Sequence, residues 1–214
     1  MSRDPMPPHQ LAREDESDDA LFYAGPRLVT HIDDATIAAL TQVYRERLRP
    51  SSAVLDLMSS WISHLPEAVT YSRVAGLGMN RAELEANPRL DDFAVHDLNA
   101  TPSLPYPDES FDAVLNAVSV QYLTRPVEVF AEVARVLRPG GEHLVAVSHR
   151  VFPTKAIALF RTLPPDERPG VVAAYFRRSG AFEEPTLLDR SPPGADPLWV
   201  VCADRRGGGE VRRA

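Results

Sequence analysis

The chain has 214 residues, with 23 Lys+Arg against 30 Asp+Glu, a formal net charge of -7, 44% hydrophobic residues, 20 Pro, 11 Gly and a single cysteine, Cys202. One domain with an ordinary core is expected, and a disulfide framework or a cysteine-based zinc site is excluded. The acidity speaks against generic nucleic-acid binding, no apolar run approaches the roughly 18 residues of a membrane span, and the first twenty residues are unlike a signal peptide, so a reducing, cytoplasmic setting is expected.

Residues 1–20 carry Pro5, Pro7, Pro8 and the cluster Glu14, Asp15, Glu16, Asp18, Asp19, and read as a disordered acidic tail. A single domain is expected over 21–204, with 21–50 as a lid and helix, followed by a flexible tail over 205–214 that contains Gly207-Gly208-Gly209. Ile37, Leu40, Tyr44 and Leu48 recur at helical spacing, with Asp33 and Asp34 at the start and Pro50 as the stop. Short strands are predicted at Ala53–Leu57, Val69–Leu77, Phe93–Asp97 and Phe111–Leu115, with a short helix at Arg81–Ala86. The next helix takes Thr124 as N-cap and Pro126 in its first turn, buries Val127, Phe130, Val133 and Leu137, and ends at Arg138-Pro139-Gly140-Gly141. A strand at Leu144–Ser148, helical segments at Lys155–Arg161 and Pro165–Ser179, and strands at Glu184–Asp189 and Leu198–Ala203 complete the chain. Strands alternating with helices imply a mostly parallel α/β sheet, closed by a hairpin of two successive strands.

In such a sheet a ligand lies beyond the carboxyl ends of the strands, at the switch point near the first. That gathers Asp56, Ser59, Ser60 and Trp61, then Gly76 to Asn80, Asp97 and Asn116.

From Val54-Leu55-Asp56-Leu57, Asp97-Leu98, Ser110-Phe111-Asp112-Ala113-Val114 and above all Glu132 to Gly141, ending Leu137-Arg138-Pro139-Gly140-Gly141, the chain resembles the class I S-adenosylmethionine-dependent methyltransferases over about Ala35 to Asp204. The resemblance implies a Rossmann-like methyltransferase fold: a mostly parallel seven-stranded sheet with a C-terminal antiparallel hairpin and helices on both faces. It implies S-adenosyl-L-methionine as cofactor and S-adenosyl-L-homocysteine as product. Asp56 would order the methionine portion, Asp97 would accept from the adenine amino group beside the Leu98 N–H, and Asn116 and Ala117 would meet the amino end.

Two departures stand out. No glycine lies between Gly25 and Gly76, so Met58, Ser59, Ser60 and Trp61 fill a turn that the family builds with glycine. Serine hydroxyls there could replace backbone contacts, and Trp61 either stacks on the cofactor or packs in the core. Gly78, in Gly76-Leu77-Gly78-Met79-Asn80, stands where the family has the acid that holds the ribose hydroxyls, leaving Asn80 or the serines to compensate. Methyl transfer is an in-line displacement in which alignment dominates. A hydroxyl acceptor would need a base, for which His64, His149 and Tyr122 are candidates, whereas a thiolate or carboxylate would not. His31 and Arg150 are candidates for binding the acceptor. A small-molecule thiol, hydroxyl or carboxylate is the expected acceptor, with no nucleic acid, membrane or metal involved and a monomer or homodimer as the assembly. The alternative is a chain that keeps the fold but has lost ordinary methyl transfer. A nicotinamide-dependent oxidoreductase is disfavoured, because G-x-G-x-x-G is absent.

Overall fold

The protein is described here by a computed structural model covering residues 6–207. Seven strands form one sheet: β1 (Ala53–Leu57), β2 (Arg73–Gly78), β3 (Asp92–Val95), β4 (Phe111–Ala117), β5 (Leu137–Val147), β6 (Thr186–Asp189) and β7 (Trp199–Asp204). Their order is β3-β2-β1-β4-β5-β7-β6. The first five run parallel, and β7 runs antiparallel to both β5 and β6. Order reverses between β1 and β4, which sets the switch point there.

Alternation along each strand divides two cores. Leu55, Leu57, Leu77, Val114, Val145 and Val201 face one way, against α5 (Pro126–Val136) and α7 (Arg168–Ser179). Val54, Val74, Leu115, Leu144 and Val200 face the other, against α3 (Asp34–Arg47). This is the expected three-layer α/β/α arrangement. Asp33 caps α3 by accepting from the Thr36 N–H at 2.8 Å, while the Thr36 hydroxyl donates to the Asp196 carbonyl at 2.7 Å.

Several local expectations change. Thr124 is not the N-cap of α5; its N–H and hydroxyl both donate to Asn99 Oδ1, at 2.8 and 3.0 Å. Helix α5 ends at Val136, before the Arg138–Gly141 run, and β5 starts on the next residue. The Pro-Gly-Gly step lies inside that strand, where the register against β4 shifts between Phe111 and Ala113. Gly140 takes φ +74°, and a Cβ on Gly141 would lie 2.9 Å from the carbonyl oxygens of Arg138 and Asp112, so only glycine fits that approach.

The acidic segment expected to be a disordered tail is seated on the fold from Met6 onward. It forms α1 (Pro8–Leu11) and α2 (Asp19–Phe22) and pairs with the loop after β5 through the Asp15 N–H to the Thr154 carbonyl, 2.9 Å. What seats it is charge: the Lys155 ammonium, fully buried, lies 3.1 Å from carboxylate oxygens of both Asp15 and Asp19. At the other end, Arg205 bridges to Phe182 and pairs with Glu109, so the expected tail begins later than 205; its remainder, 208–214, lies outside the described residues. Among the described residues no helix is long and apolar enough to cross a membrane.

Candidate functional site

A cavity of about 350 Å³ opens at the carboxyl ends of the parallel strands, in the range of small-molecule sites. Its floor is the turn after β1, the end of β2, and the loops after β3, β4 and β5. Its roof is the segment from Asp19 to Ile32.

The turn after β1 explains how the chain manages without glycine. Met58 adopts φ +57°, in the left-handed region, at a cost of roughly 1–2 kcal/mol. Ser59 then folds back so that its N–H donates to the Leu77 carbonyl at 2.8 Å. A Cβ on Gly78 would sit 2.3 Å from the Ser59 carbonyl oxygen, so the glycine at the end of β2 is the counterpart of the crowded turn. Val118, after β4, also has positive φ, +50°, which is strained for a β-branched residue.

Asp56, buried at the end of β1, accepts from the hydroxyls of Ser59 and Ser63, each at 2.6 Å. Burial pushes its carboxyl up to about 6 in spite of those two bonds. Asp97 Oδ1 accepts from the N–H groups of Asn99 (2.8 Å) and Ala100 (3.3 Å), which fixes the carboxylate in its own loop. Glu83, in the first turn of α4 (Arg81–Ala86), accepts from Ser60 Oγ at 2.6 Å and from the Arg27 N–H at 2.7 Å. All three carboxylates line the cavity, and none makes an ion pair among the described residues. Arg27 is the reverse case, a lining guanidinium without a carboxylate partner, 4.5 Å over the Phe22 ring.

The structure brings Ser59, Ser60, Trp61, Gly78, Asn80, Leu98, Ala117, Tyr122, His31 and His64 to the same cavity. Trp61 neither sits in the core nor stands free; its indole N–H donates to the Val29 carbonyl at 3.0 Å, tying floor to roof. Asn80 does similar work, capping α4 through Oδ1 and donating to the carbonyls of Tyr23 and Ala24. The Tyr122 hydroxyl accepts from the Phe152 N–H at 2.9 Å and so holds the loop after β5. His31 and His64 are both kept below the usual imidazole range by burial, His64 lowered to about 4, so both are neutral near pH 7.

Three expected residues fall elsewhere. Gly76 lies in the sheet, where a Cβ would meet Leu90 at 2.4 Å and its carbonyl accepts from the Tyr106 hydroxyl. Asn116 turns its side chain beneath the cavity, toward the Leu57 carbonyl and Ser119. His149 lies 3.3 Å from Asp196, outside the lining. Arg150 does line the cavity, but Asp196 holds its guanidinium through two contacts at 3.0 Å, which leaves it poorly placed to receive an acidic ligand. Sequence reasoning missed Glu83, Arg27, Tyr23, Asn99 and Phe152. For Glu83 a signal existed: Asn80-x-x-Glu83 is the spacing of a helix N-terminal capping pair.

The chemistry of this donor set suits S-adenosylmethionine. Three carboxylates without cation partners complement a sulfonium, an ammonium and an amino group, and one guanidinium without an anion partner complements a carboxylate. No group of three or more His, Cys, Asp or Glu able to hold a metal occurs among the described residues.

Residues 58–145 match the family described as methyltransferase domain. The chain is 38% identical over 147 residues to 27-O-demethylrifamycin SV methyltransferase of Amycolatopsis mediterranei, covering 62% of this chain and 53% of that one. It spans about half the length of the curated relatives that it matches. In fold it is similar to an S-adenosylmethionine-dependent methyltransferase from Mesorhizobium loti (TM-score 0.56, 18% identity, covering 78% of this chain and 98% of that one). It is also similar in fold to the [4+2]-cyclase SpnF (TM-score 0.59, 18% identity, covering 86% and 90%).

Proposed function

We propose, from the methyltransferase-domain match over residues 58–145 and the fold, that the chain is a class I S-adenosylmethionine-dependent methyltransferase and that it transfers the methyl group of S-adenosylmethionine to a small-molecule acceptor. The observation that carries this reading is the cavity at the switch point, lined by Asp56, Glu83 and Asp97 without cation partners.

When bound, the cofactor supplies an activated methyl group on a sulfonium. Asp97 would accept from the adenine amino group, and Asp56 would accept from the ammonium directly or through water. Ser59 and Ser63 hold the Asp56 carboxylate in place, so its orientation does not depend on the ligand. Trp61 and the roof exclude water, and the protein's main contribution is alignment, which is worth on the order of 7–11 kcal/mol. For a hydroxyl acceptor, His64 at the cavity wall is neutral and able to accept the proton, although burial makes it a weak base; a thiolate or carboxylate acceptor needs none. A compact roof without an inserted domain suits a small acceptor, as does the activity named for the rifamycin relative.

Thermal unfolding with S-adenosylhomocysteine tests the reading. At a hundred times the dissociation constant, stabilisation of about 2.7 kcal/mol is expected, roughly 5–10 °C in a domain of this size. No shift at millimolar ligand would leave a fold that has abandoned methyl transfer. Acceptors are then found by product formation over thiols, phenols, carboxylates and amines.

The Asp56 carboxyl gives a pH signature. A cationic ligand group favours its ionised form, which is half populated at about 6, predominates as pH rises above that value and is lost below it. Affinity for S-adenosylhomocysteine should fall up to about tenfold per pH unit below 6, and in Asp56→Asn that dependence should disappear. An unchanged profile in the variant would detach Asp56 from the ammonium.

A further inference from the structure

The roof of the cavity is held in an unusual way. From Pro7 to His31 no apolar residue is fully buried, and Asp19 is the single buried residue of that stretch. Leu21, Leu28 and Val29 are 73%, 56% and 59% exposed. Its two helices have four residues each, too short to persist alone. Over the cavity itself the roof is joined to the floor by hydrogen bonds from Trp61, Asn80 and the Arg27 N–H. Such contacts contribute about 1 kcal/mol each, and a segment with so little apolar burial belongs to the part of a fold that opens first.

The strong attachment is ionic and lies at one end. Asp19 receives Arg13 Nη1 on both oxygens at 2.7 and 2.8 Å and Lys155 Nζ at 3.1 Å. Lys155 also donates to the Ser17 carbonyl at 2.8 Å. The same Asp19 accepts from Asn99 Nδ2 at 2.9 Å, and the Asn99 N–H donates to Asp97 Oδ1 at 2.8 Å. A continuous path thus runs from the Lys155 ammonium through the roof to the aspartate on the cavity floor. A buried ion cluster is close to all-or-none, because removing one partner leaves the others charged and unpaired.

We propose that residues 7–31, between the core-anchored Met6 and Ile32, are a lid that opens for ligand exchange, and that Lys155, Asp19 and Asn99 form the latch that joins lid closure to the placement of Asp97. Asp19 and Asn99 are positioning residues in this scheme. The coupling to Asp97 rests on the proposed cofactor reading; the lid and its latch do not.

Lys155 is the only lysine in the chain, which makes the latch directly readable. Acetylation by an N-hydroxysuccinimide ester, followed by peptide mass spectrometry, reports access to its amine. We expect Lys155 to react at least a hundredfold more slowly than N-acetyl-lysine amide, and at least tenfold more slowly again with saturating S-adenosylhomocysteine. Asp19→Asn should speed labelling tenfold or more and quicken ligand dissociation by a similar factor. Asp15→Asn, which removes the outer partner, should do the same to a smaller degree and serves if Asp19→Asn does not fold. Labelling that neither variant accelerates overturns the latch. Labelling that responds to the variants but not to bound ligand, with dissociation unchanged, overturns the coupling. If the wild type binds no S-adenosylhomocysteine, the cofactor reading fails, and the ligand-free labelling of the variants still decides the latch.

Discussion

Replacing Asp97 with alanine is expected to remove between about half and nearly all of the thermal stabilisation by S-adenosylhomocysteine. The carboxylate is already fixed by the N–H groups of Asn99 and Ala100 on Oδ1, so it is a prepared acceptor rather than a mobile one. Losing a charge-assisted bond of this kind costs about 1.5–3 kcal/mol, or ten- to a hundredfold in affinity. At a ligand concentration that stabilises the wild type by about 2.7 kcal/mol, a hundredfold weaker variant retains about 0.4 kcal/mol, roughly 1 °C. Asp97→Asn keeps an acceptor for the turn but not the charge, and should fall between the two. A full shift in Asp97→Ala would show that the adenine lies elsewhere.

Gly78→Asp is expected to unfold the site rather than repair it. By family resemblance an acid belongs at that position, and one would suppose that restoring it tightens binding. The Ser59 carbonyl, 2.3 Å from where the Cβ would be, forbids it. Overpacking against backbone costs about 1–3 kcal/mol or more, so the melting temperature should drop by roughly 2–12 °C, with loss of the ligand-induced shift. Calorimetry with and without S-adenosylhomocysteine measures both. A variant as stable as the wild type that binds more tightly would mean that the turn after β1 yields, and that the glycine is a simple deletion of function.

These two residues mark what the sequence could and could not convey. The strands were legible because alternation is the direct imprint of two buried faces, and α3 because Ile37, Leu40, Tyr44 and Leu48 repeat at 3.6. Asp56 and Asp97 could be placed on the cavity lining from the sequence because each lies at or just past the carboxyl end of a parallel strand. The seated acidic segment was not, since it is held by a buried charge and leaves no apolar period to read. Nor could spacing show that Gly78 and the turn through Met58 and Ser59 are matched, one giving up its side chain and the other taking a left-handed backbone at Met58, because the contact of Gly78 with the Ser59 carbonyl joins the end of β2 to the turn after β1. The start of β5 was misread for a related reason: Pro139 and the glycines mark a bulge in a strand as readily as the end of a helix.

The uncompensated carboxylates of the cavity also act on molecules that do not belong there. On the proposed cofactor reading, a floor that takes adenosine is open to every adenine nucleotide, and those are abundant competitors. Bringing a di- or triphosphate beside Asp56, Glu83 and Asp97 would set like charges against one another in a confined space, with Arg27 as the single unpaired lining guanidinium to offset them. Repulsion of that kind rejects a wrong ligand without any contact made for the right one. On the proposed cofactor reading the cavity would sort adenosine compounds by the sign of what is attached to the sugar, admitting the cationic sulfonium and turning polyphosphates away.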